Sequence, residues 1–119
     1  MFKLEYEPVS RVLRVTTAGY LTVEDVARYA IDRDIAAAAA RQRSGRLRMY
    51  IDGTDSRVQP AVVIAAFNAL PSIVTEPDDR LAVVVTSSLS MLQVKRTLRN
   101  ERERAFAATS EAMAWLTQD

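Results

Sequence analysis

Residues 52–57 read Asp-Gly-Thr-Asp-Ser-Arg and concentrate short polar side chains in one stretch. Asp52 and Asp55 are paired carboxylates of the kind that serve acid–base catalysis or bind magnesium. Thr54, Ser56 and the following Arg57 belong to a candidate phospho-acceptor or partner loop. A small polar ligand site could form where residues 52–56 meet Thr17, Thr22, Thr86, Ser87 and Ser88 at the same predicted edge of the sheet. The same residue types also cap helices and form turns, which is their commonest use. Two interpretations therefore stay open: a functional loop that meets a partner, and a set of turn formers.

The residue types that the sequence lacks exclude several classes of catalytic and metal-binding site. The sequence contains no histidine and no cysteine. A Ser-His-Asp triad, a cysteine nucleophile, a disulfide and a zinc site of imidazole or thiolate ligands are therefore excluded. No glycine-rich phosphate loop and no lysine accompany the two carboxylates. We expect a protein without enzymatic activity, metal or cofactor.

The 119 residues suffice for one domain, which we expect to span residues 1–119. Alternating apolar residues from Phe2 to Tyr6, followed by the β-rich residues 9–17, predict a hairpin. Residues 47–51 predict a strand that closes at Asp52 and Gly53. The unbroken apolar run of residues 81–85 predicts a parallel strand covered on both faces. A short strand is expected at residues 104–108.

Four helices are predicted between and after these strands. Thr22 and Gly45 are expected to cap the first helix at its two ends, and Pro60 to open the second. A third helix is expected from about Ser90, and Ser110 is expected to cap the fourth. The inner stripe predicted for the first helix consists of Val23, Val26, Ala27, Ala30, Ile31, Ile35 and Ala38. Its outer surface is predicted to carry Glu24, Arg28, Asp32 and Arg33.

The elements therefore follow the order ββαβαβαβα, which predicts an α/β fold with a mixed, mostly parallel five-stranded sheet and about four helices. This layout resembles the STAS superfamily, the fold of anti-sigma-factor antagonists. It is most similar to a small stand-alone bacterial branch that is grouped with CRAL-TRIO lipid-binding domains. The residues that carry the resemblance are Gly19-Tyr20-Leu21-Thr22, Met49-Tyr50-Ile51-Asp52, Arg80-Leu81-Ala82-Val83-Val84-Val85, and residues 106–116 with Ala112 and Trp115-Leu116.

The resemblance implies a non-enzymatic, STAS-like bacterial domain that acts in the cytoplasm by protein association. Anti-sigma-factor antagonists carry an Asp-Ser-Ser-Gly loop after the third strand, in which a serine is phosphorylated. Asp55 and Ser56 match the first half of that motif, but Arg57 replaces the second serine and the glycine is missing. Thr54 and Ser56 are the expected phosphate acceptors if this loop meets a regulatory protein partner.

The second predicted helix is apolar on all sides, because Asn68 is the one polar residue from Ala61 to Leu70. Such a helix must be covered on more than its sheet side. A second copy of the same surface would cover it in a two-fold homodimer. The alternative is a groove that carries or senses a small apolar or lipid-like ligand. The residues of this surface are Val62, Ala65, Phe67, Ala69 and Ile73.

Charge and hydropathy bear on the remaining partners. Sixteen basic and fifteen acidic side chains give a net charge of +1, which would not attract nucleic acid. The basic residues Lys95, Arg96, Arg99, Arg102 and Arg104 are expected on one helix and its exit, as a solvated face without interleaved aromatic residues. Residues 58–75 are free of charge, but polar residues and prolines interrupt them. We therefore expect no nucleic-acid partner, no membrane span and no signal segment.

Overall fold

Five strands and four helices alternate in the predicted order. The structure, a computed structural model, describes residues 1–118. The strands are β1 (Phe2–Glu7), β2 (Val12–Gly19), β3 (Arg48–Ser56), β4 (Arg80–Val84) and β5 (Glu103–Phe106). The helices are α1 (Val23–Ser44), α2 (Ala61–Ala69), α3 (Ser88–Lys95) and α4 (Thr109–Leu116).

The five strands form one sheet in the order β1-β2-β3-β4-β5. β1 pairs with β2 in antiparallel fashion, and every later pair is parallel. Because each parallel strand must be reached by a crossover, a helix lies between β2 and β3, between β3 and β4, and between β4 and β5. The predicted mixed, mostly parallel α/β sheet is confirmed.

Alternate residues of each strand enter two different cores. On one face, Leu13 and Val15 of β2 and Met49 of β3 pack beneath α1. On the opposite face, Tyr50 and Ala82 pack against α4. The apolar run of β4 therefore supplies side chains to both layers, as expected of a strand covered on both sides.

Both ends of α1 form as the sequence predicts. The Asp25 N–H donates to Thr22 Oγ1 at 3.1 Å, and the Thr22 N–H donates to Asp25 Oδ2 at 2.9 Å, which completes a capping box. At the other end Gly45 adopts a φ of +79°, a left-handed conformation that glycine adopts without steric cost.

The face that α1 turns toward the sheet differs from the prediction. Arg33, expected on the outer surface, is 7% exposed, whereas Ile31 and Ile35, expected inside, are 63% and 67% exposed. Val23 is also exposed. The helix carries two apolar stripes, and packing selects the one that contains Tyr29, whose ring meets those of Phe2 and Phe67 edge-on at 5.6 and 5.9 Å. The buried residues of α1 are Val26, Tyr29, Arg33, Ala37 and Ala40.

Three predicted boundaries are wrong by a few residues. α3 begins at Ser88 and is capped by Ser87, whose hydroxyl accepts the N–H of Ser90 at 3.0 Å. α4 begins one residue before Ser110, with Ala108 as its N-cap, so the serine hydroxyl does not cap it. β5 begins at Glu103 and ends before the predicted residue 108 because the chain already turns into α4.

A buried carboxylate that the sequence analysis did not single out joins α1 to the sheet. Asp79 has no solvent-exposed surface and accepts from Arg41 Nη2 at 2.7 Å. It also accepts the backbone N–H groups of Leu47, Glu76 and Thr75 at 2.9, 3.0 and 3.2 Å. Burial by itself would raise the pKa of Asp79, but the guanidinium and the N–H donors outweigh it and hold the pKa below its ordinary value.

Candidate functional site

Residues 52–56 belong to a strand, and the prediction that they form a loop is wrong. β3 continues through Ser56 and stays paired with β2. Asp52 lies opposite Thr16, and Asp55 lies opposite Ala18, so β3 carries one residue more than β2 between these two pairs. The insertion is a β-bulge, a feature that changes the direction in which the following side chains point. The residue types suggested a turn, but pairing with β2 extends the strand.

The extended strand separates the polar residues that the sequence analysis grouped together. Asp52 accepts from Arg14 Nη2 at 2.9 Å and from the Thr54 hydroxyl at 2.7 Å. Burial would raise the pKa of Asp52, but the Thr54 and Arg14 hydrogen bonds lower it below its ordinary value. The Ser56 hydroxyl instead lies 2.5 Å from Thr17 Oγ1. The group therefore does not converge into one site.

The two residues that complete this group point toward solvent. Asp55 is exposed, and its side chain makes no hydrogen bond or ion pair with residues 1–118. Arg57 is exposed as well, with its guanidinium 5.9 Å from the centre of the Tyr20 ring. Because Asp52 is held by Arg14, the two carboxylates do not act as a pair. Phosphorylation of Thr54 or Ser56 stays a prediction.

A cavity of about 190 Å³ lies between the sheet and the helices α1, α2 and α3. Val15, Ile51 and Val83 from three adjacent strands form its floor. Phe67 of α2 and Val94 of α3 lie among the residues on the helical side. An apolar cavity of roughly 150 Å³ is large enough to hold benzene in other proteins. The volume and its lining are therefore those of a site for a small, largely apolar molecule.

The sequence-predicted surface on the second helix is divided between this cavity and solvent. Phe67 and the buried Ile73 line the cavity. Val62 is 65% exposed, and Ala65 and Ala69 are exposed on the outer side of α2. The apolar character of the helix therefore has two separate consequences: an inner wall for the cavity and an uncovered outer face.

Gly53 allows the sheet to pack closely at the bulge. A Cβ at this position would lie 3.0 Å from Val85 Cγ1 and 3.1 Å from the Val84 carbonyl oxygen. The second contact is with backbone, which cannot rotate away. Gly53 also lines the cavity, so the absence of a side chain here preserves both the strand pairing and the shape of the floor.

Two glutamines line the cavity at the carboxyl ends of the parallel strands. The Gln59 N–H donates to Gln93 Oε1 at 2.9 Å, and Gln93 Nε2 donates back to the Gln59 carbonyl at 2.9 Å. Gln59 Oε1 accepts the Leu21 N–H at 2.8 Å, and its Nε2 donates to the Gly19 and Arg57 carbonyls. The pair thus joins α3 to the loops that follow β2 and β3. Sequence reasoning missed it, because an isolated glutamine has no distinctive spacing.

Buried charged groups also line this cavity. Glu103, at the start of β5, is 7% exposed and accepts from Ser72 and Asn100 at 3.2 and 2.8 Å. Arg33 is equally buried and pairs with Asp34 at 3.2 Å.

Tyr29 lies beside Arg33 in the wall of the cavity. Burial raises the pKa of the Tyr29 phenol to about 12, although the neighbouring Arg33 guanidinium acts in the opposite direction. The phenol therefore stays protonated at neutral pH.

The basic residues near α3 do not form a continuous helix face. The helix ends at Lys95, so the later cations lie on the connection to β5. Arg99 and Arg102 each donate to a backbone carbonyl elsewhere in the chain. The Arg104 guanidinium lies 4.9 Å from the centre of the Trp115 ring. Lys95, Arg96, Arg99 and Arg104 are exposed and Arg102 is half-buried, so these cations lie mainly at the solvated surface as expected, although the helix is shorter than predicted.

Comparison with known proteins adds no family to this description. No protein-family model matches the chain, and no curated protein is significantly similar to it. The resemblance to the STAS superfamily therefore stays a prediction. Within residues 1–118, no three histidine, cysteine, aspartate or glutamate side chains are grouped so that they could hold a metal ion. In the same part of the chain, no helix is both long and apolar enough to cross a membrane.

Proposed function

We propose that this protein binds a small, largely apolar ligand between its sheet and its helices, as a non-enzymatic carrier or sensor. The observation that carries the proposal is the cavity of about 190 Å³. Small-molecule sites are typically concave and mostly apolar, with a few polar groups that fix the ligand's orientation. The resemblance to a branch grouped with CRAL-TRIO lipid-binding domains supports the same class of ligand. We further propose that the protein acts in the bacterial cytoplasm, as the same resemblance implies.

The contacts around the cavity support binding in preference to catalysis. Val15, Ile51 and Val83 line the cavity on the side of the sheet, and apolar side chains make up most of its wall. The side-chain amide of Gln93 is bonded to the backbone of Gln59, and the side-chain amide of Gln59 is bonded to backbone groups of the adjacent loops. The binding free energy of a ligand would therefore come mainly from removal of apolar surface from water, at roughly 25 cal/mol per Å² of apolar surface buried.

The proposal is tested by filling the cavity from α3. Val94 lines the cavity, whereas Leu92 on the same helix is 54% exposed. Isothermal titration calorimetry with 1-octanol is expected to give saturable binding to the wild type. Val94→Phe should weaken that binding by about tenfold or more, because the added ring occupies ligand volume and about 1.4 kcal/mol corresponds to a factor of ten. Leu92→Phe adds a similar ring outside the cavity and should bind as the wild type does.

Absence of saturable octanol binding to the wild type would overturn the proposal. Equal weakening by both substitutions would place the binding site elsewhere on the molecule. If Val94→Phe does not fold, Ile64→Phe adds bulk to the same cavity from α2 and replaces it in the comparison.

A second candidate function is association through the outer face of α2. Val62 is 65% exposed, and Ala65 and Ala69 lie on the same uncovered side of the helix. Exposed apolar patches of this kind commonly mark protein contacts. We propose a two-fold homodimer through this face, with a regulatory protein as the other kind of partner.

Sedimentation velocity tests the dimer. The wild type should sediment as a dimer at micromolar concentration, and Val62→Glu should shift it to a monomer because a buried unpaired carboxylate is costly. Leu89→Glu is the matched control, since Leu89 is similarly exposed, at 63%, but lies on α3. A monomeric wild type would contradict this assignment and leave the cavity unaffected.

A further inference from the structure

We propose that the ligand of the cavity carries a positively charged amino group, which pairs with Glu103. The ligand class is then an apolar amine. This inference rests on the proposed function, because it names the chemistry of the molecule that the cavity would hold. It depends on one buried carboxylate at the start of β5 and on how the neighbouring charges are already paired.

Glu103 combines burial with an incomplete set of partners. Glu103 is 7% exposed, and in the parallel pairing of β4 and β5 it lies opposite Leu81. Both residues line the cavity. Oε2 accepts hydrogen bonds from Ser72 and Asn100 at 3.2 and 2.8 Å. Oε1 accepts none from residues 1–118, so one carboxylate oxygen is available at the cavity wall.

No cation of the described chain is paired with this carboxylate. Arg14 pairs with Glu7 and Asp52, Arg33 pairs with Asp34, and Arg41 pairs with Asp79. The two hydrogen-bond donors to Glu103 are neutral. Glu103 Oε1 has no hydrogen-bond partner among residues 1–118 and is not one of the fully buried side-chain atoms, so a charged donor of a ligand can reach it.

The other charged residues that line the cavity already have partners or face solvent. Arg33 pairs with Asp34 at 3.2 Å. Asp25 accepts the N-cap N–H of α1 at 2.9 Å. Arg57 and Arg99 are exposed, and Arg99 donates to a backbone carbonyl at 2.7 Å. Glu103 is therefore the buried charge in this cavity that a ligand is best placed to neutralise.

An ammonium group matches what Glu103 lacks. It brings a full positive charge and three N–H donors, and charge-assisted hydrogen bonds to carboxylates are among the strongest in proteins. A carboxylate ligand would instead bring a second negative charge close to Glu103. The rest of the ligand must be largely apolar, because Ile51, Val83, Phe67 and other apolar side chains make up most of the lining.

Three probes of nearly equal size separate charge from apolar contact: 2-phenylethylamine, 2-phenylethanol and phenylacetate. Isothermal titration calorimetry on the wild type should show the amine binding about tenfold tighter than the alcohol, and phenylacetate binding weakest. Glu103→Gln should remove the preference, so that the amine and the alcohol bind with similar affinity. Glu101→Gln removes the same charge from an exposed position two residues earlier and should behave as the wild type.

The outcomes separate this inference from the proposed function. Saturable binding of the alcohol, with the amine no tighter, overturns the amine inference and leaves apolar binding intact. Absence of binding by all three probes overturns both. Retention of the amine preference in Glu103→Gln also overturns the inference, because another group would then recognise the charge. If that variant does not fold, the comparison of the three probes on the wild type still decides.

Discussion

Replacement of Asp79 by asparagine tests a buried carboxylate that accepts hydrogen bonds from one guanidinium and three backbone N–H groups. The substitution removes the ion pair with Arg41 and places an NH₂ group against at least one of the backbone N–H donors that now meet a carboxylate oxygen. Breaking a buried ion pair typically costs about 3 to 5 kcal/mol. The Arg41 side chain is 27% exposed and also donates to the Ile73 carbonyl, so it keeps some compensation. We therefore expect a loss of about 3 kcal/mol from the free energy of unfolding.

Urea denaturation followed by circular dichroism measures this loss, and thermal unfolding should show a decrease of about 10 to 20 °C in Tm. Asp78→Asn is the matched control, because it removes the same charge from the adjacent, exposed residue. Its effect should stay within about 0.5 kcal/mol. If Asp79→Asn is as stable as Asp78→Asn, the buried network does not hold the connection before β4 in place, and the reasoning is refuted.

The Asp79→Asn variant also tests how the free energy of unfolding depends on pH. The pKa of Asp79 is lowered in the folded protein, so the carboxylate contributes its full stability above its unfolded pKa of about 3.9. This contribution is lost as the pH falls through the folded pKa. The difference in unfolding free energy between wild type and Asp79→Asn should therefore be constant near neutral pH and should shrink below about pH 4. A difference that grows on acidification would contradict the assignment.

Two further predictions concern the bulge in β3. Gly53→Ala should destabilise the protein by about 1 to 3 kcal/mol in urea denaturation, because the new methyl group meets the Val84 carbonyl oxygen at 3.1 Å; wild-type stability would show that the strand can shift at no cost. If the protein is phosphorylated in a bacterial host, phosphopeptide analysis should find more phosphate on the exposed Thr54 than on the half-buried Ser56. Phosphate on Ser56 alone would contradict this prediction.

Several features of this protein follow from local sequence patterns. The alternation of Phe2, Leu4 and Tyr6 and the apolar run of β4 predict their strands correctly, because strand periodicity is set by the backbone itself. Thr22 and Gly45 mark the ends of α1 because capping depends on residues within one helical turn. From such signals the order of elements, and hence the α/β class, could be predicted.

The candidate site could not be predicted in the same way. α1 has two apolar stripes, and only contact of Tyr29 with Phe2 and Phe67 determines which stripe is buried. Pairing with β2 turns residues 52–56 from an expected loop into a strand with a bulge.

The role that we propose for Glu103, pairing with an amino group of the ligand, could be recognised only from the tertiary structure. In the sequence Glu103 stands between two arginines, and in the fold it lines a mostly apolar cavity and makes no ion pair with residues 1–118. The types and order of the elements are local properties of the chain. Contacts between residues far apart in the sequence determine which face of α1 is buried, and they form the cavity and the environment of Glu103. Local sequence patterns do not predict such contacts.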